Sequence, residues 1–237
     1  METIDIKYQF FFNDGSDACL NLRLHPKTLE IMPDKDQASP DWAELEFNQC
    51  SHCPLAKENS PHCPVALNLV SVFDIFNRIL SYEEFVIEVT TEERTVRQKT
   101  SAQRVASSLM GLLIGASGCP HTAFFKSMAR YHLPLASQEE TIFRAASAYL
   151  IAQYLLHENM ANFSFAGLDQ IYQNMQVINS AVAKRLRSAV EADSMLNAIA
   201  ILDLNAQVMP MVIEDTLDDV RYVFEPYLKV QNAQSGS

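Results

Sequence analysis

Six glycines among 237 residues leave little material for phosphate-cradling loops. Neither G-x-G-x-x-G nor G-x-x-x-x-G-K-[ST] occurs, so a dinucleotide fold and a P-loop are both unsupported. H-E-x-x-H and G-x-S-x-G are missing too, which argues against a zincin or a serine hydrolase. Positive charge is also scarce: 18 basic residues face 29 acidic ones, for a formal net charge of -11. Such a field repels phosphate backbones, and no nucleic-acid partner is expected. The one basic cluster, Lys184, Arg185 and Arg187, reads as the solvated face of a helix. No apolar run reaches the roughly 18–20 residues that span a bilayer, the nearest being Leu109 to Ile114, so no membrane role is expected. The acidic start Met1-Glu2-Thr3-Ile4-Asp5 lacks the basic and apolar regions of a signal peptide, and the expected location is cytoplasmic.

What is present is enough apolar material, 48% of residues, to bury a core. The order of patterns predicts an α+β protein with an N-terminal antiparallel sheet and a cysteine-rich loop, packed against a predominantly helical C-terminal two-thirds. Tyr8 to Phe12, the turn Asn13-Asp14-Gly15, and the alternation from Cys19 to Leu24 predict a hairpin. Thr28 to Met32 and Trp42 to Phe47 are candidates for further strands. Phe85 to Val89 and the run through Val96, joined at Glu92-Glu93, predict two more. Residues 1–100 thus form a β-rich region containing the loop 48–64 and one helix, which starts at the loop's last cysteine, Cys63, with Pro64 in its first turn. Residues 101–230 are helical and continuous with it, and 231–237 read as a disordered tail. Thr100 to Gln103 and Ser137 to Glu140 match capping boxes. Helical periodicity covers Ile171 to Val190, Ser194 to Gln207 and Asp215 to Tyr227.

The chemistry concentrates in cysteine. An odd count of five in a reducing compartment favours metal or redox chemistry over a disulfide framework. Cys50-x2-Cys53 is the usual way to bring two thiolates to one ion. Cys63 returns nine residues later, and Cys119 follows far downstream. Cys53, Cys63 and Cys119 each precede a proline, which holds the ligand residue extended. Cys50, Cys53, Cys63 and Cys119, with His121 as a substitute for the last, are therefore the candidate metal ligands. The cofactor expected is zinc, with an iron–sulfur cluster as the alternative. His52 and His62 read as exposed loop or supporting residues, and Cys19 as a small buried hydrophobe.

The strings Cys50-Ser-His-Cys-Pro-Leu55, Cys63-Pro-Val-Ala-Leu-Asn68, Ser117-Gly-Cys-Pro-His-Thr-Ala-Phe-Phe125 and Ala129-Arg-Tyr-His-Leu-Pro-Leu-Ala-Ser137 resemble the signature of an uncharacterised bacterial family, a domain of unknown function. The resemblance covers nearly the whole chain and implies a bacterial cytoplasmic protein. It supplies no activity, substrate or ligand.

Three readings follow from the residues. The first is a zinc-binding protein with a regulatory or protein-interaction role, its long helices offering a surface to a protein partner or to a second copy. The second is an iron–sulfur or thiol-based redox sensor. The third is a metalloenzyme with an open position near His121, Arg130 or His132. The paired carboxylates Glu92-Glu93 and Glu139-Glu140 fall in a turn and a helix start, where acid serves capping and solubility.

Overall fold

Strict alternation builds the sheet. In a computed structural model describing residues 3–33, 39–77, 79–157, 164–189, 193–219 and 221–235, strand β1 (Ile4–Phe11) turns Ile6, Tyr8 and Phe10 inward. It pairs antiparallel with β2 (Asp17–Leu24), Tyr8 opposite Leu20, and on its other edge with β3 (Glu84–Thr90), Phe10 opposite Ile87. Strand β4 (Thr95–Ser101) pairs antiparallel with β3 and completes the order β2-β1-β3-β4. One face of the sheet is thus apolar, with Leu22, Leu24, Phe85, Ile87 and Val89 joining the β1 residues. The other face carries the charged partners of the same alternation.

Helices cover that apolar face. Helix α1 (Pro64–Phe76) buries Val65, Leu69, Val72 and Phe76, and α2 (Ala102–Gly115) buries a stripe from Val105 through Leu109 to Ile114. After a 3-10 turn over Pro120–Phe125 and the short α3 (Lys126–Arg130), α4 (Gln138–Leu156), α5 (Ala166–Arg187), α6 (Ser194–Asp219) and α7 (Arg221–Ser235) follow. Helices α5 and α6 pack on each other and α6 packs on α2, so α2 lies between the sheet and the C-terminal helices. The molecule is an α+β protein with an N-terminal antiparallel sheet, α1 falling between β2 and β3 in the chain and the other helices following β4.

Several local expectations resolve differently. Thr28 to Met32 forms no strand: a tight turn with Leu29 at φ 58 leaves a single bridge between Leu24 and Ile31, and the Ile31 amide bonds Ala116 O at 2.9 Å. Trp42 to Phe47 does not join the sheet either. It begins with a 3-10 turn at Asp41–Ala43 and bridges the cysteine loop through Glu44 and His62. Thr100 caps nothing, because it is buried in β4 opposite Phe85. The first α2 amides instead reach Glu83 O and Ser81 O, at 2.8 and 3.0 Å. Cys19 is exposed, since Leu20, Leu22 and Leu24 take the inner face and the period of two sends it outward. Helix α7 runs to Ser235, where composition predicts a tail; residues 236–237 lie outside the described set.

The second capping box is present in full: Ser137 Oγ accepts from the Glu140 amide at 3.1 Å, and the Glu140 carboxylate accepts from the Ser137 amide at 2.7 Å. Ser137→Ala is expected to lower the free energy of unfolding by about 1 kcal/mol, measured by urea denaturation. Glu140→Gln, which keeps an acceptor, is expected to cost less.

Candidate functional site

The cysteine loop is held from two sides. Ala43 and Leu45 sit beside it as a short antiparallel rung: the Leu45 amide bonds Pro61 O at 2.9 Å and the Cys63 amide bonds Ala43 O at 2.8 Å. Behind this rung lies Arg185, 2% exposed. Its Nη1 donates to Trp42 O and Glu44 O, both at 2.7 Å, and its Nη2 to Leu45 O at 2.9 Å. The basic cluster on α5 therefore does not read as a solvated face throughout. Its middle member turns into the protein and donates to three carbonyls of the segment that pairs with the one carrying Cys63. Among the described residues no carboxylate forms an ion pair with it.

Each cysteine is presented by simple backbone chemistry. Cys50 and Cys53 close a turn, with the Cys53 amide on Cys50 O at 3.1 Å. Cys63 is the N-cap of α1 and Cys119 the N-cap of the Pro120–Phe125 turn. Both are extended, at φ/ψ of -72/119 and -71/126, as the following prolines require. Cys119 is fixed further by Thr122, whose amide and hydroxyl both donate to Cys119 O, at 3.1 and 3.0 Å.

The fold brings these four cysteines within one another's electrostatic reach, although they come from three segments. Burial pushes the Cys50 thiol up to about 12, and neighbouring Cys63, Cys119 and Cys53 push in the same direction. Burial likewise raises Cys119, with Cys63 and Cys53 adding to it and backbone donors opposing. Burial lowers Arg185, while Cys63, Cys50 and Cys53 act to hold its charge. The thiols are gathered rather than closed: among the described residues no three Cys, His, Asp or Glu side chains stand in a metal-ligating arrangement.

Two imidazoles flank the group. His52 and His121 stack at 4.0 Å between centroids, 10° from parallel, and His121 Nε2 donates to His52 O at 2.9 Å. His52 Nε2 bonds Asn174 O at 3.3 Å. A carbonyl accepts only, so Nε2 carries the hydrogen and Nδ1 of the neutral ring keeps its lone pair. That Nδ1 is buried with no partner. Burial and the neighbouring His121 both depress the His52 pKa, which keeps the ring neutral with Nδ1 unprotonated.

The other residues singled out in the sequence stand apart in their bonding. His62 contributes its backbone to the bridge with Glu44. Arg130 pairs with Glu93 at 3.8 Å. His132 Nε2 shares a hydrogen bond with the Tyr8 hydroxyl, and burial holds its pKa down to about 3. His121, Arg130 and His132 thus take three different partners. Arg185 and the open Nδ1 of His52 were not legible in the sequence. The only available signal was Arg185 recurring at the spacing of Ile178 and Val182, apolar neighbours on the same helix face.

The chain belongs to a protein family: the family model described as Domain of unknown function (DUF6901) matches residues 6–225. No curated protein and no solved structure matches the chain.

Two outcomes are expected from this geometry. Arg185→Ala removes a buried guanidinium and strips the donor from three carbonyls, the Leu45 one buried, and should lower unfolding free energy by about 3 kcal/mol, with Arg185→Lys recovering part; a urea-measured change under about 0.5 kcal/mol would remove the clamp from the account. His132 has a folded pKa of about 3 against 6.5 in the open chain. Between those values the unfolded chain binds a proton that the folded protein refuses, so stability falls as pH falls through this window. His132→Gln should flatten the stability slope between pH 6.5 and 4, while an unchanged slope would assign it to other groups.

Proposed function

For this member of the DUF6901 family, we propose a metal-binding protein in which Cys50, Cys53, Cys63 and Cys119 hold one zinc ion that fastens the 48–64 loop to the start of the Pro120–Phe125 turn. The observation that carries the reading is the gathering of four thiols from three segments within one another's field, three of them, Cys50, Cys53 and Cys63, also acting on Arg185, a buried cation with no carboxylate partner among the described residues. Without a metal, burial and mutual repulsion keep Cys50 and Cys119 protonated, and the guanidinium has only carbonyls for company. A divalent ion on four thiolates carries a net charge of about -2, which gives Arg185 a counter-charge and offsets its desolvation. Metal binding would release the thiol protons and draw the side chains inward by rotation, so affinity should rise with pH. His52, with a neutral ring and an unclaimed Nδ1, is the nitrogen donor this site offers beside the sulfurs. His121, whose Nε2 is already bonded to the Cys50–Cys53 turn, braces that turn.

When bound, zinc supplies a cross-link between loop and helix. The chain's own residues present the sulfurs, shield them and balance their charge. A cytoplasmic regulatory or interaction role is consistent with the end of α4, where Tyr154, Leu155 and Leu156 are 71, 77 and 72% exposed, an apolar run larger than a solvated helix needs. The cysteine–proline pairs favour an iron–sulfur cluster as the second reading.

Elemental analysis with an absorption spectrum on anaerobically purified protein, beside Cys53→Ser, tests both. The expected result is about one equivalent of zinc, lost in the variant, with chelator lowering the melting temperature. Iron with sulfide and visible absorption would replace zinc by a cluster. Metal-free protein with an unchanged melting temperature in added zinc would overturn the metal reading.

A further inference from the structure

A cavity of about 560 Å3 lies among α2, the segment 125–138, α4, α5 and α6. None of the cysteines lines it, and nothing in its argument depends on them. Its size falls within the range of about 300–1,000 Å3 typical of small-molecule sites. The wall is largely apolar, with Leu112, Phe125, Met128, Met175 and Leu202 contributing.

Charge at this wall has one sign. Arg104 and Arg144 line the cavity, and among the described residues no Asp or Glu does, in a chain with 29 acidic residues against 18 basic ones. Both guanidinia are steered by backbone carbonyls. Arg144 Nη2 donates to Met128 O at 2.8 Å and Tyr131 O at 2.9 Å, and Arg104 Nη2 donates to Leu135 O at 3.0 Å. Among the described residues neither forms an ion pair with a carboxylate. The field of Glu140 reaches Arg144, but the Glu140 carboxylate is engaged by the Ser137 amide in the capping box. Arg144 is half-buried and Arg104 exposed; an arginine cannot shed its proton to escape a low-dielectric wall, so Arg144 leaves a standing demand for an anion, and Arg104 adds positive charge from a solvated position. His132, also on the wall, is held neutral by burial and adds no competing charge.

We propose that this helical cavity binds an amphipathic carboxylate, an aliphatic body lying along the apolar wall with its carboxylate on the Arg104 and Arg144 guanidinia. A planar carboxylate matches the fork of an arginine. The apolar wall rewards an aliphatic chain by area removed from water, and the two parts of the lining thereby select for both ends of one molecule.

The experiment is calorimetric titration of the full chain with decanoate and with decanol, which share the alkyl body and differ in charge. The expected result is one saturable decanoate site, bound about tenfold or more tighter than decanol. Arg144→Gln should erase most of that difference while sparing decanol. Gly111 offers a way to fill the space: a Cβ there would meet only Leu202 Cδ2, at 3.8 Å, so Gly111→Phe should abolish both bindings without straining the helix. Equal affinity for the two compounds, no binding of either, or binding indifferent to Gly111→Phe would each overturn the proposal. Because Arg144 also holds the 128–131 turn, its variant can fail to fold; the decanoate to decanol ratio on the native chain and the Gly111→Phe variant then decide.

Discussion

The three hydrogen bonds from Arg185 to Trp42 O, Glu44 O and Leu45 O join the two halves of the molecule at the point where its chemistry is concentrated. The segment they hold has no place in the sheet and almost no regular structure of its own. Residues 42–45 would otherwise carry unpaired carbonyls into the interior, which is costly. With the guanidinium in place the segment becomes rigid enough to pair with 61–63 and so to set Cys63 at the head of α1. Buried charge is expensive, and its use here concentrates that cost beside the four thiols.

The same economy appears elsewhere in the molecule. The chain is strongly acidic, yet three of its arginines face inward or line a cavity. Arg185 serves the cysteine loop, whereas Arg104 and Arg144 tie Leu135 and the 128–131 turn to the helices. Leu135 sits at φ 60, a conformation that a branched apolar residue adopts only when its surroundings compel it. Its amide donates to Ser108 Oγ and its carbonyl accepts from Arg104, one acceptor and one donor a helical turn apart on α2. Acidic side chains meanwhile occupy turns, caps and the outer sheet face, where water screens them. Net charge describes the surface of this protein and misdescribes its interior.

How much of this was readable from sequence depended on the range of the interaction. The β1–β2 and β3–β4 hairpins declared themselves because alternation and turn residues act between neighbours. The Ser137–Glu140 box did so for the same reason. Thr100 imitated a cap and failed, because the strand register buried it and distant carbonyls had already taken the α2 amides. Thr28 to Met32 had strand composition, but the left-handed Leu29 and the bond from Ile31 to Ala116 pulled it away. Cys19 was placed on the wrong face by a reading that weighed residue type over register.

The sequence by itself determined the α+β order, the sheet alternation and most helix spans, and singled out Cys50, Cys53, Cys63 and Cys119 as candidates, since all of these rest on period, spacing and local backbone restriction. Only the tertiary structure decided that Cys119 reaches the other three cysteines, that Arg185 turns inward, that His52 keeps an open Nδ1, and that two arginines share an acid-free cavity. Those facts depend on segments up to about a hundred and forty residues apart meeting in space, and no local pattern encodes which side chains will share a boundary once the helices have packed.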